Sequence, residues 1–101
     1  MTGQETQKTI ADWAEETFGP VADQSILVAR AAEELAELLE AIEAGDTPEI
    51  GRETADVAIL LYRLMELNGL DLGTEIDAKM AVNRSRQWRA KGDGTGGHVK
   101  S

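Results

Sequence analysis

Apolar residues recur along this chain at the spacing of helices, and over no useful length do they alternate with polar ones as a strand requires. Four helices are predicted. The first covers Gln7 to Phe18, with Ile10, Trp13 and Ala14 at helical spacing, and Gly19-Pro20 stops it. The second runs from Gln24 to Ala44, and Gly45 is its natural C-terminal cap. In the link "GDTP", Asp46 or Thr47 caps a third helix, Pro48 suits its first turn, and Glu49 favours its positive end. That helix ends near Asn68-Gly69, and a fourth runs from near Asp71 to about Arg89. Residues 1–91 thus form an all-α, four-helix domain, and residues 92–101 a Gly-rich tail expected to be mobile without a ligand.

The stripes define faces. Helix two carries Val28, Ala31, Ala32, Leu35, Leu38, Leu39 and Ile42 on one side. Helix three carries Val57, Leu60, Leu61, Leu64 and Asn68, and Ala58, Ile59 and Met65 widen its apolar surface. A helix apolar on two sides contacts more than one neighbour, which in a four-helix chain predicts a subunit interface. A single domain of 101 residues buries only roughly 60–65% of its unfolded surface, so self-association is a natural remedy.

Acidic residues break this pattern. Glu34 lies on the flank of the helix-two stripe, with Glu37 about 60° further round and close enough to share a ligand with it. Glu53 falls inside the helix-three arc and Asp56 sits on its edge. The short link makes helices two and three antiparallel neighbours, so both pairs face each other. Four converging carboxylates do not all stay ionised in a shielded cleft without a cation. With no His or Cys nearby, the all-oxygen set suits a hard ion, Mg²⁺ or Mn²⁺.

Charge and composition narrow the partners. The formal net charge is −9, which argues against nonspecific binding to nucleic acid or anionic membranes. There is no cysteine, hence no disulfide and no thiolate chemistry. The polar start "MTGQETQKT" lacks a signal-peptide core, and "VAILLY" is too short to span a bilayer, so a soluble cytoplasmic protein is expected. Yet five of the ten basic residues, Lys79, Arg84, Arg86, Arg89 and Lys91, lie between positions 79 and 91. The helix-four stripe Leu72, Ile76 and Met80 continues to Asn83, with Lys79 on its edge, so Lys79 and Asn83 are expected to face the bundle. Acids that hold metal beside a basic segment are what a metal-bound polyphosphate needs. The basic run also reads as a solvated helix end that complements its dipole.

The acids and this basic segment together resemble a known family. "EELAE" at 33–37 followed by "ETAD" at 53–56 is similar to the EExxE…ExxD signature of the MazG-like all-α nucleoside triphosphate pyrophosphohydrolases. "KMAVNRSRQW" at 79–88 resembles their later Lys…Asn segment. "WAEETFG" at 13–19 and "GDGTGGHV" at 92–99 look like short MazG-like proteins, some phage-encoded and some acting on purine deoxynucleotides. The resemblance implies a helical bundle assembled as a dimer or tetramer. It implies Mg²⁺-dependent hydrolysis of an NTP or dNTP to a monophosphate and pyrophosphate. Glu34, Glu37, Glu53 and Asp56 would be the metal ligands, with Glu34 or Glu37 also orienting or deprotonating water. Lys79 and Asn83, joined by Arg86, would contact the substrate.

Base recognition has few aromatic candidates. Trp13 and Trp88 suit stacking on a base, although Trp13 suits core packing under helix one better. His98, the only imidazole, stands near Lys100 in the tail, which is either a free end or a flap that closes over nucleotide. A noncatalytic dimeric module whose acidic face meets a basic partner is the competing reading, and it requires that the carboxylates not converge. A di-iron bundle is set aside, because it needs Glu-x-x-His pairs that the chain lacks.

Overall fold

The computed structural model describes residues 4–99; Lys100, the expected companion of His98, lies outside them. Four helices, α1 (Gln7–Phe18), α2 (Ser25–Ala44), α3 (Thr47–Leu67) and α4 (Leu72–Ser85), are followed by two strands, β1 (Trp88–Ala90) and β2 (Gly96–His98). Local chemistry sets the ends. At α1, Thr9 N–H donates to Thr6 Oγ1 at 3.1 Å and Thr6 N–H donates to Thr9 Oγ1 at 2.8 Å, a reciprocal cap. Gly45, at φ 67°, supplies the left-handed residue that ends α2. Asp46 then caps α3 by accepting from Glu49 N–H at 3.2 Å. The chain therefore reverses within two residues, and α2 and α3 lie side by side.

The centre of the fold is α3, with α1 on one side and α2 on the other. This accounts for its two-sided apolarity inside the chain, where the sequence pattern had pointed to a subunit interface on that helix. Among the described residues, the buried apolar ones are Ala11, Ala14, Leu27, Ala31 and Ala41, so small side chains let the helices approach. The stripe expected on α2 is split. Ala31 is buried and Leu38 half-buried against α3, whereas Val28, Leu35, Leu39 and Ile42 are exposed.

The fourth helix departs further from expectation. No residue of α4 is buried, and it packs along none of the other helices. Its start is tied down by Gln7, whose side chain accepts from Leu72 N–H at 2.9 Å and donates to the Leu70 carbonyl at 2.7 Å. The helix stops at Ser85, short of Arg89, because the Trp88 indole N–H donates to the Asn83 carbonyl at 2.7 Å and the backbone turns extended at Arg86. The glycine-rich segment then returns as a second strand. Trp88 faces His98, Arg89 faces Gly97 and Ala90 faces Gly96 in an antiparallel ladder. Asp93 Oδ1 accepts from Thr95 N–H at 2.9 Å in the turn, and Gly92 and Gly94 take φ 95° and 94°. Gly96 is required by space, since a Cβ there would lie 2.5 Å from the Arg89 carbonyl oxygen.

The chain exposes 7696 Å² for 10.9 kDa, about a third more than a folded monomer of this mass. Its radius of gyration is 16.5 Å, against about 13 Å for a compact domain of this length. No described helix is long and apolar enough to cross a membrane.

Candidate metal centre

The antiparallel α2–α3 pair brings three carboxylates together. Glu34 and Glu37 stand one turn apart on α2, Glu53 projects from α3, and each offers an oxygen within 4.8 Å of the others. The small residues Ala31 and Ala41 flank this stretch of the α2–α3 contact. Glu53 is only 8% exposed, and its Oε2 has no hydrogen-bond partner. A buried carboxylate oxygen without a donor is costly, so the site is built for a cation or a proton. The Glu53 carboxyl is pushed up to about 8, first by its contact with Glu34, then by Glu49, burial and Glu37. In the metal-free chain the proton therefore stands in for a cation. The donor set fits a hard divalent ion, because it is all oxygen, partly shielded and holds an orphaned acceptor.

Around the trio the arrangement is uneven. Arg30, one turn before Glu34, approaches it at 3.7 Å. Asp56 is exposed one turn beyond Glu53 and stands outside the close trio. On the side toward the α2–α3 link, an acidic cleft of about 370 Å³ is lined by Glu37, Glu40, Asp46, Glu49 and Glu53. On the other side, Arg30 borders a mainly apolar cleft of about 420 Å³ whose walls include Phe18, Pro20, Val21, Ile26 and Leu60. The floor of that cleft is fixed by Arg63, a buried guanidinium that donates to the Gly19 carbonyl at 2.6 Å and lies 3.6 Å from Glu15.

The basic candidates are elsewhere. Lys79 is exposed on the unpacked α4, so within one chain it is not carried toward the bundle as the stripe suggests, and Arg86 caps the end of that helix. Asn83 is half-buried, but its amide nitrogen faces Met80 Sδ at 3.8 Å and its Oδ1 has no partner. Trp88 and His98 meet across the hairpin with ring centres 5.8 Å apart, both exposed. Trp13 is 54% exposed and meets Phe18 edge-on at 5.5 Å, so it is not a core residue of this chain. Sequence reasoning missed three members of the surroundings. The helix-end role of Glu49 hides that it shares the Glu53 face one turn earlier. Arg63 was legible as a charge inside "LLYRLMEL". Arg30 carried the i, i+4 spacing to Glu34.

Known proteins share this arrangement of elements. A family profile described as dATP/dGTP pyrophosphohydrolase matches residues 6–101. A dATP/dGTP diphosphohydrolase of Salmonella phage PMBT28 is 40% identical over 99 residues, covering 94% of this chain. The chain spans only 31% of that relative's length. A dATP/dGTP diphosphohydrolase of cyanophage S-2L is 35% identical over 95 residues, covering 94% of this chain and 86% of that protein. Among solved structures, the cyanophage S-2L MazG-like pyrophosphohydrolase bound to dGDP and three catalytic Mn²⁺ ions per active site is similar. It has a TM-score of 0.75 at 34% identity, over 94% of this chain and 90% of that one.

Proposed function

The chain belongs to the dATP/dGTP pyrophosphohydrolase family, and we propose that it hydrolyses purine deoxynucleoside triphosphates to the monophosphate and pyrophosphate with a divalent ion. The observation that carries this reading is the buried, unpartnered Glu53 carboxylate within 4.8 Å of Glu34 and Glu37. That convergence is what the noncatalytic module does not allow. Mg²⁺ is the proposed ion and Mn²⁺ its substitute; the S-2L protein, with three Mn²⁺ per site, supports a load of more than one.

Bound ions supply neutralisation of phosphate charge and a lowered pKa for water. The rest falls to the chain. Glu34, Glu37 and Glu53, with Asp56 joining from the adjacent turn, hold the ions. Glu34 or Glu37 takes a proton from the attacking water. The water oxygen bonds to the α-phosphorus, the bond from that phosphorus to the α–β bridging oxygen breaks, and pyrophosphate leaves with the bond pair. The apolar cleft beside Arg30 takes the nucleoside, since 420 Å³ lies within the roughly 300–1,000 Å³ of small-molecule sites. Phe18, with Trp13 edge-on behind it, is the stacking surface.

The active form is a homodimer or homotetramer. The exposed Val28, Leu35, Leu39 and Ile42 on α2 and Ile76 and Met80 on α4 form the surface to be covered. Because α4 leaves its own bundle, Lys79, Asn83 and Arg86 reach the phosphates from a second copy, and the hairpin with His98 follows them. Incubation with each of the four common dNTPs and the NTPs, with and without Mg²⁺ or Mn²⁺, tests the reading. Turnover is expected to be fastest for dATP and dGTP and absent without metal. Equal turnover with a chelator present contradicts it.

A further inference from the structure

One feature of the acidic cleft lies outside the family signature. We propose that Glu49 is an additional metal-binding residue, adding a carboxylate to Glu34, Glu37 and Glu53 and extending the ion site toward the α2–α3 link. The inference rests on the reading of the trio as a divalent-ion site and adds a residue to it.

Three observations carry it. Glu49 and Glu53 stand one turn apart on the same face of α3, and both line the 370 Å³ cleft together with Glu37. Glu53, 8% exposed, lines that cleft and carries a buried Oε2 with no hydrogen-bond partner. Glu49 is half-buried, and its existing partner is easily given up. Arg52 pairs with it through Nη2 at 2.8 Å, but the guanidinium side chain is 65% exposed. An exposed i, i+3 pair contributes little, so a divalent ion displaces Arg52 at small cost. Glu49 is also the next acid along the α3 face that carries Glu53, so a second ion beside the first would find a further oxygen ligand there, beyond the trio and Asp56.

The alternative role for Glu49 is structural, as an acid in the first turn of α3 that favours the positive helix end. Counting bound ions separates the two. The full chain is titrated with Mn²⁺ alone, and free Mn²⁺ is read by electron paramagnetic resonance, for the wild type, Glu49→Gln and Glu43→Gln. Glu43 is exposed on α2 and lines no part of the cleft, so it matches the lost charge without touching the site. Glu49→Gln should lose one Mn²⁺ equivalent or weaken the loosest one at least about tenfold, with helicity retained. Glu43→Gln should bind as the wild type does. Unchanged stoichiometry and affinity in Glu49→Gln, or an equal loss in Glu43→Gln, overturns the assignment. A wild type that binds no Mn²⁺ overturns the trio reading itself, and this inference with it.

Discussion

The α2–α3 pair and the α4–hairpin segment are opposite in packing and in charge. From Ser25 to Leu67 the chain carries ten acids and three bases, and its helices pack against each other. From Lys79 to His98 it carries five bases and one acid, and α4 buries nothing. The first region makes a cleft with more carboxylates than counter-charges, Arg52 pairing with Glu49 and Arg30 with Glu34. The second region holds the counter-charge and has no place in its own chain to put it. A triphosphate with its ions needs both, and in the proposed assembly one copy's basic arm meets another copy's acidic cleft.

The strongest way to break the comparison is to remove the centre of the acidic half. Glu53→Gln should reduce turnover by more than the roughly 10–100-fold that outer-shell changes cost metal enzymes. The metal-free variant should be at least as thermally stable as the wild type, because a crowded carboxylate has gone. Turnover like that of the wild type removes Glu53 from the site.

Mixing variants sharpens the comparison. Lys79→Ala alone should cost roughly a hundredfold in turnover, as loss of a charge-stabilising donor does. Co-refolding it with Glu53→Gln should restore roughly a quarter of wild-type activity if a symmetric dimer builds each site from both copies. No recovery would place the basic arm on its own chain's cleft.

A smaller effect is expected in pH dependence. Glu53 sits at about 8 in the fold against an ordinary 4.5, so the folded state binds more protons than the unfolded one between those values. Stability of the metal-free protein must then fall as pH rises from 4.5 through about 8, and level off above. Divalent ions should reverse the loss, binding more tightly as the proton leaves. Thermal melts of wild type and Glu53→Gln across pH 5–9 check this, and a wild-type profile as flat as that of the variant refutes it.

The smallest effect concerns the hairpin. Gly96→Ala forces a Cβ to 2.5 Å from the Arg89 carbonyl, so the strands must part. KM for dGTP should rise a few-fold while the melting temperature stays unchanged, because the hairpin packs on no other element to any extent. Unchanged kinetics would make the hairpin an end without a role.

What the sequence revealed follows the same division. Helix ends at Gly45, Asp46 and Asp71 were legible because capping is local chemistry. Glu34, Glu37 and Glu53 were legible because two residues between helices force an antiparallel pair. The period does not say whether Leu35 and Leu39 are covered by this chain or by another copy. Ile76 and Met80 misled for that reason, promising a packing surface that the chain does not supply. The hairpin was hidden because its second strand begins Gly96-Gly97, which have no side chains to alternate. Only the Asp93-Gly94 turn pair hinted at it.

The central claim, that the trio is a divalent-ion site for splitting a purine dNTP between its first and second phosphates, is tested most directly by product analysis. Wild type and Glu53→Gln are incubated with dGTP and Mg²⁺ or Mn²⁺, nucleotides are separated by ion-exchange chromatography, and pyrophosphate and orthophosphate are assayed separately. The account predicts dGMP and pyrophosphate in equal amounts from the wild type, with no dGDP, and next to nothing from the variant or in the presence of chelator. Release of orthophosphate with dGDP, or intact dGTP after prolonged incubation with the wild type and metal, would contradict it.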